Sequence, residues 1–212
     1  MTRGIFITFE GGEGAGKSTQ VRLLIAALKR VGIAAEATRE PGGSLGGEAI
    51  RRLLLEGGED RWDALAEALL LYAARRDHVE RLIAPALAAG RWVVSDRFAD
   101  STLAYQGYGK GISIAVLRQL HKLALGDFEP DLTVILDLPV KDSMARAAAR
   151  GVAADRFERL GPVFHEKLRD GFRAIAAEKP QRCVLIDGTA DSENVHRAVL
   201  AAVTMRLGVV VP

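Results

Sequence analysis

The chain has 212 residues, 49% hydrophobic and 26% charged, which is the balance of an ordinary folded domain and not of a disordered or fibrous chain. Its 29 Lys and Arg against 27 Asp and Glu leave a net charge of +2, so charge alone gives no case for a nucleic-acid or membrane-surface partner. The single cysteine, Cys183, excludes an internal disulfide, and no apolar run has membrane-spanning length or the form of a signal peptide, so a cytoplasmic protein is expected.

Ile5 to Phe9 is apolar, β-branched and aromatic, and reads as a first strand. It runs into Gly11, Gly12, Glu13, Gly14, Ala15, Gly16, Lys17, Ser18 and Thr19, which fit the phosphate-loop pattern G-x-x-x-x-G-K-[ST]. The glycines let the backbone bend until successive N–H groups face one concavity, and the helix that follows adds its own unpaired N–H groups. Lys17 then supplies a mobile positive charge for the β- and γ-phosphates, and the Ser18 hydroxyl is placed for Mg²⁺. Strand, loop and helix arrive in the required order, so the chain is expected to bind a nucleoside triphosphate.

Helical spacing continues from Val21 to Val31 and stops at Gly32, and Ile33 to Thr38 reads as a second strand ending in Arg39-Glu40-Pro41-Gly42-Gly43. A short helix over Leu45–Leu55 and a polar break precede a long helix expected from about Trp62 to Ala88, bent near Pro85. Arg91 to Ser95 is a third strand with Asp96 and Arg97 at its end. Residues 98–109 read as a polar, glycine-rich stretch. Helices over Ser113–Leu125, Val140–Arg150, Pro162–Ala177 and Ser192–Leu207 alternate with strands over Leu132–Leu138 and Cys183–Asp187. The alternation predicts an α/β fold, a doubly wound five-stranded parallel sheet in one domain over 1–212, with a mobile lid at about 146–159.

A GTP switch would need Asn-Lys-x-Asp to read guanine. The one asparagine is Asn194, and Val195 follows it. Larger ATPase machines need domains that this length cannot hold, which leaves a small P-loop kinase. Asp96 is the candidate carboxylate for Mg²⁺ through water, and the Arg97 guanidinium could fork onto an acceptor phosphate. Arg150 and Arg156 flank small residues, as arginines of a mobile cover over the transferring phosphoryl group would.

These residues together resemble the thymidylate kinases, nearly end to end. The phosphate loop from Phe9 to Thr19, Arg39-Glu40-Pro41-Gly42-Gly43, Tyr72-Ala73-Ala74-Arg75, Asp96-Arg97-Phe98 and the block Ser101, Thr102, Tyr105, Gln106, Gly107 all match motifs of that family, as do Arg146, Arg150, Asp155, Arg156, Phe157 and Glu158 in the lid. The resemblance implies transfer of a phosphoryl group from ATP to dTMP with Mg²⁺, in a homodimer built through the 62–88 helix. Gly11 to Thr19 and Arg146 would hold ATP, with Ser18 and Asp96 on the metal. Arg39, Arg75 and Arg97 would surround the dTMP phosphate and pocket, Arg75, Thr102 and Gln106 would face the thymine edge, and Glu40 and Ser101 would also be substrate-binding. Tyr105 would crowd the sugar's 2′ position, and Glu13 would lie near the 3′-hydroxyl. Arg150 and Arg156 would close on the γ-phosphate, and Glu158 would set the lid. Leu71, beside Tyr72, stands where the family usually stacks an aromatic ring on the base, and Leu160 stands where an acidic residue is common. Other readings are a kinase for a UMP- or CMP-like acceptor, or an ATP-binding regulatory module without turnover.

Overall fold

The computed structural model describes residues 3–58, 60–149 and 156–210. Five parallel strands, β1 (Phe6–Gly11), β2 (Ala35–Arg39), β3 (Trp92–Asp96), β4 (Leu132–Asp137) and β5 (Cys183–Asp187), form one sheet in the order β2-β3-β1-β4-β5. Helices cover both faces, which explains why β1 is buried at every position, Thr8 and Glu10 included. Side chains still alternate across it. Ile7 and Phe9 pack with Leu24 and Leu28 of α1 (Lys17–Arg30) and with Val199 and Val203 of α9 (Ser192–Leu207). Phe6 points the other way, against Val79, Ile83, Val93 and Phe98. A third cluster joins Ile135 to Leu168, Phe172 and Ile175 of α8 (Pro162–Glu178).

The register fixes what meets at the sheet's carboxyl edge. Phe9 pairs with Asp96 and Arg39 also pairs with Asp96, so the phosphate loop, the Asp96-Arg97 turn and the Arg39-Glu40 turn open side by side. From β1 the chain crosses to β2 on one side, and from the adjacent β3 it crosses to β4 on the other, and ligands of open α/β sheets lie at such a switch point.

The other helices are α2 (Leu45–Leu55), α3 (Ala64–His78), α4 (Ala84–Ala88), α5 (Ala99–Thr102), α6 (Ile114–Leu125) and α7 (Val140–Ala148). Ser44 caps α2 by accepting from Gly47 N, and Asp63 caps α3 by accepting from Leu65 N and Ala66 N. One sequence expectation needs correction here. The 62–88 helix is not one α-helix: it begins at Ala64, and a π-helical turn over Val79–Ile83 precedes α4. Pro85 has no N–H to donate, and the ladder resets before it. Residues 98–109, to which the sequence assigns no element, are helical: α5 runs into a π-helical segment, Leu103–Gly109, packed against α8. Its polar side chains hid the helix because they face a site, not solvent.

Candidate active site

The phosphate loop is built by close backbone contact. Gly11 and Gly14 have φ of 129° and 70°, and a Cβ at either would stand 2.4 Å from a backbone oxygen, of Leu136 or of Ser143. Lys17 is nearly buried, and its Nζ donates to Gly11 O at 3.2 Å and Gly12 O at 2.7 Å. Burial first, then the nearby Arg97, holds its ammonium below the usual lysine range. Ser18 Oγ donates to Asp96 Oδ2 at 2.5 Å, so the hydroxyl and carboxylate predicted to share a metal lie together.

Arg97 has a left-handed backbone, φ 73°, which turns its side chain back over the loop. Its guanidinium donates to Gly11 O, Ser101 Oγ and Tyr105 Oη at 3.0, 3.2 and 2.9 Å and pairs with Glu13. Tyr105 Oη donates to Glu13 Oε1 at 3.1 Å. Arg97, Glu13 and Tyr105 thus form one unit between the loop and the rest of the cleft. Behind them, fully buried Glu10 accepts from Phe98 N at 2.7 Å and Ser101 Oγ at 2.5 Å. Burial first, then the neighbouring Asp100, pushes its carboxyl up to about 7.

One cleft of about 740 Å³ runs from this loop to a second pole. Its lining includes Arg39, Glu40, Arg51, Leu71, Arg75, Ser101, Thr102, Gln106, Arg146, Phe157 and Glu158, together with Glu13 to Thr19. At the far pole Arg75 Nε donates to Glu40 Oε2 at 2.6 Å and Nη2 to Phe98 O at 3.1 Å, while His78 Nδ1 lies 3.1 Å from Glu40 Oε1. Among the described residues, buried Arg75 Nη1, Thr102 Oγ1 and Gln106 Oε1 have no protein partner. A buried polar atom without a partner costs free energy, so these three mark where a polar ligand fits.

Most predicted residues therefore meet in one cleft, with three differences. Tyr72 is buried behind Arg75, its ring 4.8 Å from the guanidinium, and supports the pocket without lining it. Arg156 does not reach over the phosphate loop: it is buried in an ion pair with Glu67, and its Nε donates to Leu54 O at 3.0 Å. Spacing could not show this, because Glu67 lies 89 positions away. Gln106, whose amide could offer a base a donor and an acceptor together, does not turn both amide atoms to the cleft, since its Nε2 donates to Glu67 Oε1 at 2.8 Å. Arg150 lies outside the described residues, as do the other residues of 150–155 within the lid expected at about 146–159. Arg146 donates to Gly188 O and Thr189 O at 3.0 and 3.3 Å and lines the cleft beside Gly14 of the phosphate loop. Arg51 lines the cleft and was missed: within Arg51-Arg52 on an amphipathic helix it looks like any surface arginine. Phe157, near the cleft and 5.6 Å ring to ring from Tyr105, supplies an aromatic surface that position 71 lacks.

A phosphate loop that shares one cleft with a second, arginine-lined pole, on a five-stranded parallel sheet, defines a P-loop phosphotransferase with two substrate poles. The family model described as thymidylate kinase matches residues 9–199, and the chain belongs to that family. A thymidylate kinase of Caulobacter vibrioides is 54% identical over 208 residues, 98% of this chain and 100% of that protein. A thymidylate kinase of Rhodopseudomonas palustris is 55% identical over 208 residues, 97% of this chain and 90% of that protein. The crystal structure of the Ehrlichia chaffeensis thymidylate kinase superposes with a TM-score of 0.78 at 37% identity, covering 95% of this chain and 99% of that one.

Proposed function

We propose that the chain transfers the γ-phosphoryl group of ATP to dTMP, giving ADP and dTDP. The observation that carries this is the single cleft joining Lys17 and the loop to buried Arg75 Nη1, Thr102 Oγ1 and Gln106 Oε1. Backbone N–H groups of Gly11 to Thr19 and the Lys17 ammonium receive the ATP phosphates, and Arg146 borders the nucleotide end. Arg39, Arg75 and Arg97 receive the dTMP phosphate, with Glu40 fixing Arg75. Thr102 and Gln106 read the base, Leu71 and Phe157 pack against it, and Tyr105 fills the space a ribose 2′-hydroxyl would need.

Ser18 Oγ and Asp96 Oδ2 are hard oxygen ligands at the loop's mouth and suit Mg²⁺, which takes few protein ligands beside water and phosphate. Bound there, Mg²⁺ would neutralise charge on the phosphates. Among the described residues no group of three or more His, Cys, Asp and Glu competes for a metal. The protein's own contribution is positioning. Glu13 and Tyr105 hold Arg97 in place, so its charge is in position before transfer begins. Glu158 lines the cleft beside Phe157, and Arg150 is the lid charge in this reading.

The chain pairs with a second copy through α3 in this reading, because Leu65 and Leu69, four residues apart, are 46% and 50% exposed. No helix among the described residues is long and apolar enough to cross a membrane. An ADP-release assay with Mg²⁺-ATP against dTMP, dUMP, UMP, dCMP, AMP and GMP tests the function. Preference for dTMP over UMP by roughly tenfold or more is expected. Equal turnover of UMP would overturn the base and sugar assignments.

A further inference from the structure

Glu67 of α3 is fully buried and faces three donors. Gln106 Nε2 reaches its Oε1 at 2.8 Å, Lys110 Nζ reaches its Oε2 at 3.0 Å, and Arg156 Nη2 closes on the same oxygen. A carboxylate faced by two cations can only accept, so the Gln106 amide has one allowed orientation. Its NH₂ group must face Glu67, and its carbonyl oxygen must face away. That oxygen, Oε1, is the buried atom without a partner among the described residues, and Gln106 lines the cleft.

We infer that Glu67 is a specificity-determining positioning residue, which locks Gln106 so that the cleft presents an acceptor and not a donor. The ligand atom that satisfies Gln106 is then an N–H. At the pairing edge of a pyrimidine, N3 carries a hydrogen in thymine and uracil and a lone pair in cytosine. Thymine is accepted, whereas cytosine would set two acceptors face to face and leave Gln106 Oε1 buried and unsatisfied. A glutamine free to rotate would serve both bases equally, so the discrimination resides in Glu67, one residue behind the group that touches the base. Lys110 and Arg156 hold the carboxylate in turn, which gives buried Arg156 a role on the acceptor side.

This inference rests on the dTMP reading above, and its test separates the two. Steady-state kinetics with dTMP and dCMP are compared for the wild type and Glu67→Gln. In the variant a neutral amide can donate to Gln106 Oε1, so the Gln106 NH₂ group can turn to the cleft and meet cytosine N3. The expected result is that the kcat/KM preference for dTMP over dCMP narrows by roughly tenfold or more. An unchanged ratio, with both rates falling together, overturns the inference and leaves Glu67 a brace. If the stranded cations unfold that variant, Glu67→Gln with Lys110→Met removes one of them, and the same ratio decides. A wild-type measurement decides independently. In ¹⁵N-glutamine spectra assigned with Gln106→Met, the Gln106 NH₂ protons should resist solvent exchange before any nucleotide is added. Fast exchange, slowed only by dTMP, would place the amide the other way round. A wild type that fails to phosphorylate dTMP would sink the functional reading, while the exchange result still judges Glu67.

Discussion

Arg75 Nε donates to Glu40 Oε2 across 2.6 Å with both side chains almost wholly buried. The pair does more than neutralise charge: Glu40 and Phe98 O occupy Nε and Nη2, so Nη1 is the donor left for the cleft. Breaking a buried pair strands the other charge, which costs about 3–5 kcal/mol. Arg75→Met should therefore lower the unfolding free energy by about that amount and raise KM for dTMP far more than KM for ATP. Urea denaturation and two-substrate kinetics check both arms. A KM change confined to ATP would move Arg75 to the wrong pole.

Lys17 and Asp96 make a complementary pair of tests at the other pole. Lys17→Met removes the ammonium that Gly11 O and Gly12 O hold over the loop. Loss of one preorganised charge at a developing anion typically lowers kcat by about 10²–10³. Asp96→Asn should show a comparable fall that excess Mg²⁺ partly restores, because the amide still offers Mg²⁺ a weaker oxygen ligand. Titration of activity with Mg²⁺ reads this directly. A fall in Asp96→Asn that is independent of Mg²⁺ would remove Asp96 from the metal.

The fold was legible because it is written in short periods. Each strand and most helices could be read from runs of a few residues, and the phosphate loop from nine consecutive ones, Gly11 to Thr19. Site residues were legible where motif and backbone turn coincide, as at Ser18, Asp96 and Arg97. Pairings across distant elements were not. The Glu67 carboxylate meets Gln106, Lys110 and Arg156 only because α3, the π-helical segment and the stretch after residue 155 converge in space. The π-helical turns escaped for a related reason. An i→i+5 ladder follows neither the 3.6 nor the 2.0 period that sequence reading uses.

Pairing of two copies should depend on the outer face of α3. Leu65 and Leu69 stand there half exposed, and neighbouring α6 exposes Val116 and Leu123. Placing charge in a would-be apolar contact costs both desolvation and like-charge contact across the two-fold axis. Leu65→Glu with Leu69→Glu should convert a two-chain particle into a single chain by light scattering, with little change in far-UV circular dichroism. A wild type already of one-chain mass would refute the dimer.

Glu10 should give the protein a distinctive pH dependence. Burial, followed by Asp100, raises its carboxyl from an ordinary 4.5 to about 7, against the pull of Ser101, Arg97 and Phe98 N. A group with a raised folded-state value contributes stability that is fully present below 4.5, where both states are protonated. Between 4.5 and about 7 the unfolded chain ionises first, so that contribution is lost as pH rises and is gone above about 7. The full span is on the order of 3 kcal/mol. Glu10→Gln cannot ionise and keeps an acceptor for Phe98 N, so it lacks this slope. Urea unfolding at pH 4.5, 5.5, 6.5 and 7.5 should show the wild type losing stability relative to the variant across that window, then running parallel to it. Parallel curves from the lowest pH onward would mean that Glu10 enters the folded protein already ionised, held so by the donors of Phe98 and Ser101.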